Sequence, residues 1–257
     1  MSPAFVYKSV GILAALGVPL LSGCYPDDIQ IEHVLTQTEV SEHFVFHYAP
    51  GDRVDAPRVE AFYAWIAERL SVDLEKPVQF FKFENNEQKR FLTGSGGNGH
   101  ADPATNSVYT IWTWDNHEVT HLFSHRLGTP TAFLNEGLAV ANQVDPLNNG
   151  FTPMWGLLSV HGCAADLFAA GELSSWASVG ESEPFRKADP HYTYPSAGSF
   201  VEHLTQQYGI ESVLQLFSGA RYHDSLSTTS ARFQRVYGFS LETAEQDWHA
   251  FLAQYPR

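Results

Sequence analysis

One stretch limits the fold more than any other: "NHEVTHLFSHRLGTPTAFLNEGLAVANQ", residues 116–143. Both of its halves carry apolar residues at helical spacing, and "GTPT" interrupts them at residues 128–131. The chain must therefore set two helices side by side, each with ionisable groups in an apolar sequence. An α-helix rises about 1.5 Å per residue with 3.6 residues per turn. His117 and His121 are four positions apart, so their rings leave the same face. Their Cα atoms are separated by roughly 6 Å along the axis, close enough for both rings to reach one metal ion. Glu118 is turned by about 100° from His117 and stands beside the pair, where it can hold a water without being a ligand. Two histidines leave such a site incomplete, and a third protein ligand is expected. The break at "GTPT" permits a turn, after which Glu136 can face back from the second helix.

His125 continues the series 117, 121, 125, but it lies about 12 Å from His117 along a straight helix, too far to share bonds of about 2 Å. The metzincin spacing needs a histidine six residues after His121, and position 127 is Leu, so that pattern fails. With 12 His in 257 residues, H-E-x-x-H arises by chance in roughly 3% of such chains. The second element, "FLNEGLA", is therefore what gives the first its weight.

The rest of the chain divides at about residue 115. Before it, "HFVFHY", "PVQFFKF" and "SVYTIW" read as strands, and "APRVEAFYAWIAERLSV" reads as a helix with Asp55 as its N-cap. "ENNEQKRFL" is a short helix or turn. "GSGGNGHADPATN" is a glycine-rich loop; it lacks a lysine-serine ending and a following helix, so it is no phosphate cradle. After it, "MWGLLSVHGCAADLFAAG", "PSAGSFVEHLTQQYG", "ESVLQLFSGA" and "LETAEQDWHAFLAQY" are helical patterns set apart by Gly or Pro. The fold class is α+β: a mixed β-sheet lobe over 41–114, a mainly helical lobe over 115–257, and the histidine helix between them.

"HEVTH" with "FLNEGLA" resembles the gluzincin metallopeptidases, the group that includes thermolysin, the zinc aminopeptidases and the broad peptidase-MA-like families. The resemblance covers roughly residues 41–255 and implies a zincin-like fold. It implies zinc as cofactor, His117, His121 and Glu136 as ligands, Glu118 as general base, and a peptide or protein as substrate. "YPSAGSFVEHLTQQYG" resembles a further family segment and offers Tyr194 as a donor to the oxyanion; Tyr192 and His191 are unranked neighbours. The gap before Glu136 is shorter than in thermolysin. Val140 also stands where thermolysin has an Asp that supports a histidine, so another partner must orient His117 or His121. "SVYTIW" is the expected sheet edge for strand addition by an extended peptide.

At the start of the chain, Lys8 is followed by the apolar run "VGILAALGVPLL", 12 residues from Val10 to Leu21. That is too short to span a bilayer, which takes about 20, and it fits a signal-peptide core. "LSGC" then resembles a bacterial lipobox. The expectation is a signal peptide over 1–23, a lipid on Cys24, a spacer over 24–40, and an exported body anchored to the cell envelope. Tyr25 rather than Asp after the cysteine points to the outer membrane. Cys163 is then left with no intramolecular partner, a free thiol packed on a helix. A formal charge of −14 without any Lys/Arg cluster opposes a nucleic-acid partner. Two other readings stay open: a silent member that binds peptide or envelope components, and a zinc hydrolase with a non-peptide substrate.

Overall fold

The computed structural model describes residues 30–148 and 150–256. The expected signal peptide and Cys24 lie outside the described residues. The chain order is α1 (Ile31–Val34), β1 (Gln37–Val40), β2 (Phe44–Tyr48), α2 (Ala56–Leu70), β3 (Val78–Lys82), α3 (Asn86–Thr93), β4 (Gly99–Asp102) and β5 (Ser107–Thr110). Then follow α4 (Asn116–Ser124), α5 (Ala132–Ala141), the hairpin β6 (Met154–Trp155) and β7 (Leu158–Ser159), and α6 (Val160–Ala170). The chain ends in α7 (Trp176–Val179), α8 (Ser182–Lys187), α9 (Pro190–Tyr208), α10 (Ile210–Phe217), α11 (Leu226–Tyr237) and α12 (Leu241–Gln254). The protein is mixed α+β.

Strands β1 to β5 form one sheet in the order β1-β2-β3-β5-β4. The inner strands β2, β3 and β5 are parallel, and the edges β1 and β4 run antiparallel to their neighbours. Alternation decides which face is buried: Phe44, Phe46, Val78, Phe80 and Val108 point to one side and are sealed from solvent. Helix α2 covers that side with Val59, Phe62, Tyr63 and Ile66. Its start is fixed by Asp55, whose carboxylate accepts the Arg58 N–H at 3.4 Å. Each buried aromatic of this layer contributes about 1.5–3 kcal/mol over an exposed one.

Helices α5–α12 enclose a second core around Phe133, Phe200, Phe217 and Trp248. Helix α4 joins the two. Its Val119, Leu122 and Phe123 enter the sheet core, while its histidine face looks toward α5. The intervening turn depends on Gly128, at φ +153°, where a side chain would collide with the Phe217 carbonyl.

Several local expectations are corrected. The spacer is already part of the fold from Gln30, because β1 pairs with β2 along Gln37↔Tyr48 to Val40↔Val45. "SVYT" is not the edge: the glycine-rich segment supplies β4, which pairs with β5 and takes the outer position. "MWGLLS" is a hairpin rather than the start of a helix. Helix α9 begins at Pro190, five residues before Pro195, because Asp189 accepts the His191 N–H at 2.9 Å and Pro190 suits a first turn. Cys163 is free and half-buried, and burial with Asp166 nearby raises its thiol pKa. Among the described residues no helix is long and apolar enough to cross a membrane.

Candidate metal centre

Asp115 starts α4 and ties it to the sheet. One carboxylate oxygen accepts the Glu118 N–H at 3.2 Å, and the other accepts the Thr110 hydroxyl at 2.6 Å. The first turn is thereby locked to β5, and the two histidines emerge together. His117 Nε2 lies 3.2 Å from His121 Nε2, 3.0 Å from Glu136 Oε2, and His121 Nε2 lies 3.3 Å from that same oxygen. A tetrahedral ion with bonds of about 2.0–2.1 Å sets its ligands roughly 3.3–3.4 Å apart. The observed triangle nearly has those dimensions, so this nitrogen-and-carboxylate donor set fits such an ion. Among the described residues these three form the cluster suited to a metal. His125, at the exposed C-terminal end of α4, is outside it.

The structure supplies a partner that sequence spacing left unassigned. His117 Nδ1 lies 3.2 Å from Gln143 Oε1. An Nδ1–H donated there would leave the Nε2 lone pair to a metal ion; without one, Nε2 carries a proton and donates it to Glu136. Glu136 is only 3% exposed. Burial opposes its ionisation, but His121 and His117 hold its pKa well below the ordinary carboxylate range. Burial also works against a charged His117, yet the bond to Glu136 and the nearby carboxylates raise it to about 9.

Glu118 stands beside the triangle, outside it. Burial and the Asp115 charge push its pKa up to about 7, against the pull of His117 and His121. Strand β4 crosses directly over it. A side chain at Gly99 would come within 2.8 Å of Glu118 and Asp115, so this edge reaches the carboxylate only as glycine.

Tyr194 reaches the site from the second turn of α9. Its ring centroid is 6.0 Å from that of His117, and burial with the Glu136 charge raises its pKa. Tyr192 and His191 are exposed and line neither adjoining cavity. The residue that sequence reasoning missed is Arg186, on α8. It donates to Glu136 Oε1 at 2.5 Å, to the Tyr194 hydroxyl at 3.1 Å and to the Tyr222 hydroxyl at 3.2 Å. Burial works against its charge, but Glu136 raises its pKa on balance. Glu136 thus turns one oxygen to the histidines and the other to a guanidinium. A six-residue helix lying 50 positions from Glu136 carries no spacing signal that could have pointed to it.

Two cavities meet at Gly99, His117, Glu118 and Tyr194, one of about 330 Å³ and one of about 700 Å³. The cluster therefore opens to a cleft on both sides. No protein-family model matches this chain and no curated protein matches it in sequence.

Proposed function

We propose that the chain is a zinc-dependent metallopeptidase of the gluzincin kind, with a zincin-like arrangement of sheet lobe, histidine helix and helical lobe. The observation that carries this reading is the His117–His121–Glu136 triangle with Glu118 beside it in an open cleft. Zinc held by those three residues would supply Lewis acidity and lower the pKa of water toward neutrality. Glu118, which burial and the Asp115 charge make more basic than an ordinary carboxylate, takes the proton of the attacking water and returns it to the leaving amine. Tyr194 accepts a hydrogen bond from Arg186, so its own O–H proton is free to meet the oxyanion of the tetrahedral intermediate. The outer edge of β4 offers unpaired backbone groups to an extended peptide. An intact Glu118 argues against a silent binder, which has no need of a base.

The test is the Glu118→Gln variant, with zinc content and cleavage of a broad peptide library as readouts. About one zinc per chain is expected in both proteins, with turnover at least about 100-fold lower in the variant, the scale of a lost general base. Equal turnover with full zinc would refute this mechanism. Wild-type protein that holds zinc and cleaves no peptide, but does cleave esters or other amides, would favour the non-peptide hydrolase. We further propose that the body is exported and tethered to the cell envelope by a lipid on Cys24. Cys24→Ser is then expected to appear in the soluble fraction or unprocessed; normal maturation and membrane retention would contradict it.

A further inference from the structure

The two cavities at the cluster have opposite character. The smaller, about 330 Å³, is polar, with His100, His125, Thr129, Asn135 and the Arg186 cation in its wall. The larger, about 700 Å³, is walled by Trp112, Trp114, Trp155 and Tyr194. Its rings are braced. Trp155 packs on Tyr194 at 5.7 Å between centroids, and the Arg58 guanidinium lies over Trp114, 4.7 Å from the ring centroid. Trp112 is 50% exposed at the rim, a large apolar surface left in water beside a reactive cluster. The carboxylates in this wall are Asp115 and Glu118; neither Lys nor Arg contributes to it. A negatively charged group would meet repulsion there, and a flat apolar group would meet aromatic walls.

We propose that the tryptophan cavity is the specificity subsite of this cleft, taking a bulky aromatic or aliphatic side chain of the substrate residue that lies beside Glu118, and refusing an acidic one. This rests on the metallopeptidase reading for its place next to the cleaved bond. The occupant follows from continuity: His117, Glu118 and Tyr194 line both cavities, so a chain crossing the cluster must set a neighbouring side chain into the aromatic wall.

The test uses full-length Glu118→Gln protein and blocked hexapeptides of alanine that carry Phe, Leu, Ala or Glu at one central position. Binding is read by tryptophan fluorescence and calorimetry, with zinc added and with chelator added. The Phe and Leu peptides are expected to bind about 10- to 100-fold more tightly than the Ala peptide, the scale of burying one large apolar side chain, and the Glu peptide more weakly than Ala, because the Asp115 carboxylate stays in this wall when Glu118 is replaced. Trp112→Ala, at a half-exposed position, should remove most of the Phe preference. Trp155→Leu, which keeps apolar bulk, should reduce it while the protein stays folded by circular dichroism. Equal binding of Phe, Ala and Glu peptides overturns the proposal. So does a Phe preference that survives both substitutions, or no binding of any peptide. A Trp-dependent Phe preference in a protein that holds no zinc would sustain the cavity assignment and sink the catalytic one. Zinc-dependent cleavage by the wild-type protein that is indifferent to Phe or Glu would do the reverse.

Discussion

The guanidinium of Arg186 meets a metal-ligand candidate, a tyrosine that faces the cleft and a second tyrosine at once. A planar fork with five donors suits that task, and the single ammonium of a lysine does not. By engaging Glu136 Oε1 it leaves Oε2 to the histidines, so the carboxylate presents one oxygen rather than two. Arg186→Gln is therefore expected to weaken zinc binding about 10- to 100-fold, the usual cost of losing a partner that orients a ligand. Arg186→Lys should restore only part of it. Competition with a chromophoric chelator measures both, and an unchanged zinc affinity in Arg186→Gln would refute the role. On the proposed mechanism Tyr194→Phe removes no ligand; it should keep full zinc and lose less turnover than Glu118→Gln, because zinc would still oppose the oxyanion charge.

Helix α5 packs on α9 through glycine. A Cβ at Gly137 would lie 2.8 Å from both the Ala197 carbonyl oxygen and a Val201 methyl. Alanine is the better helix former by about 1 kcal/mol, but overpacking costs about 1–3 kcal/mol when neither backbone nor core can yield. Gly137→Ala is thus expected to lower stability in chemical denaturation. Because Glu136 is its neighbour, zinc affinity should fall with it; a variant as stable as the parent would show that the two helices have room. This glycine belongs to "FLNEGLA", so the segment that carries the proposed ligand Glu136 also carries the close contact that places it. The strands β2 and β3, the capped start of α2, and the pairing of His117 with His121 were readable because period and capping chemistry are local. Strand β4 was not, since "GHAD" has no apolar alternation and becomes a strand only through β5. Nor was α8, whose "SEPFRK" is too short to show a period, and Arg186 went unseen with it. The hairpin β6–β7 hid in an apolar run that a helix would fit equally well.

At the scale of the molecule, two cores meet along α4, and one polar strut crosses between them. Arg69 of α2 donates to Asn142 Oδ1 at 2.8 Å, at the end of α5, and lies 3.6 Å from Glu202 on α9. Glu202 is nearly enclosed, and burial raises its pKa even with Arg69 and Gln206 pulling the other way. Arg69→Met keeps most of the volume and removes the only cation that this carboxylate contacts among the described residues. Stranding one member of a buried pair costs about 3–5 kcal/mol; here Arg69 is 24% exposed along its side chain, so roughly 2–4 kcal/mol at neutral pH is the expectation. The sign of the pH dependence follows from the direction of the shift. A carboxyl whose folded pKa lies above its unfolded value, 4.5, favours folding while protonated and loses that contribution as pH rises through the interval between the two values. Removing Arg69 widens the interval. The penalty of Arg69→Met should accordingly be small near pH 4.5 and grow toward pH 8. Glu202→Gln in the same chain should recover most of the loss and flatten the pH profile, since no buried charge is then left alone. Urea denaturation of the four proteins of this cycle at three pH values decides it: a loss that is constant with pH, or that Glu202→Gln fails to relieve, would mean that Arg69 holds the lobes through Asn142 and its packing on Trp65 rather than through Glu202.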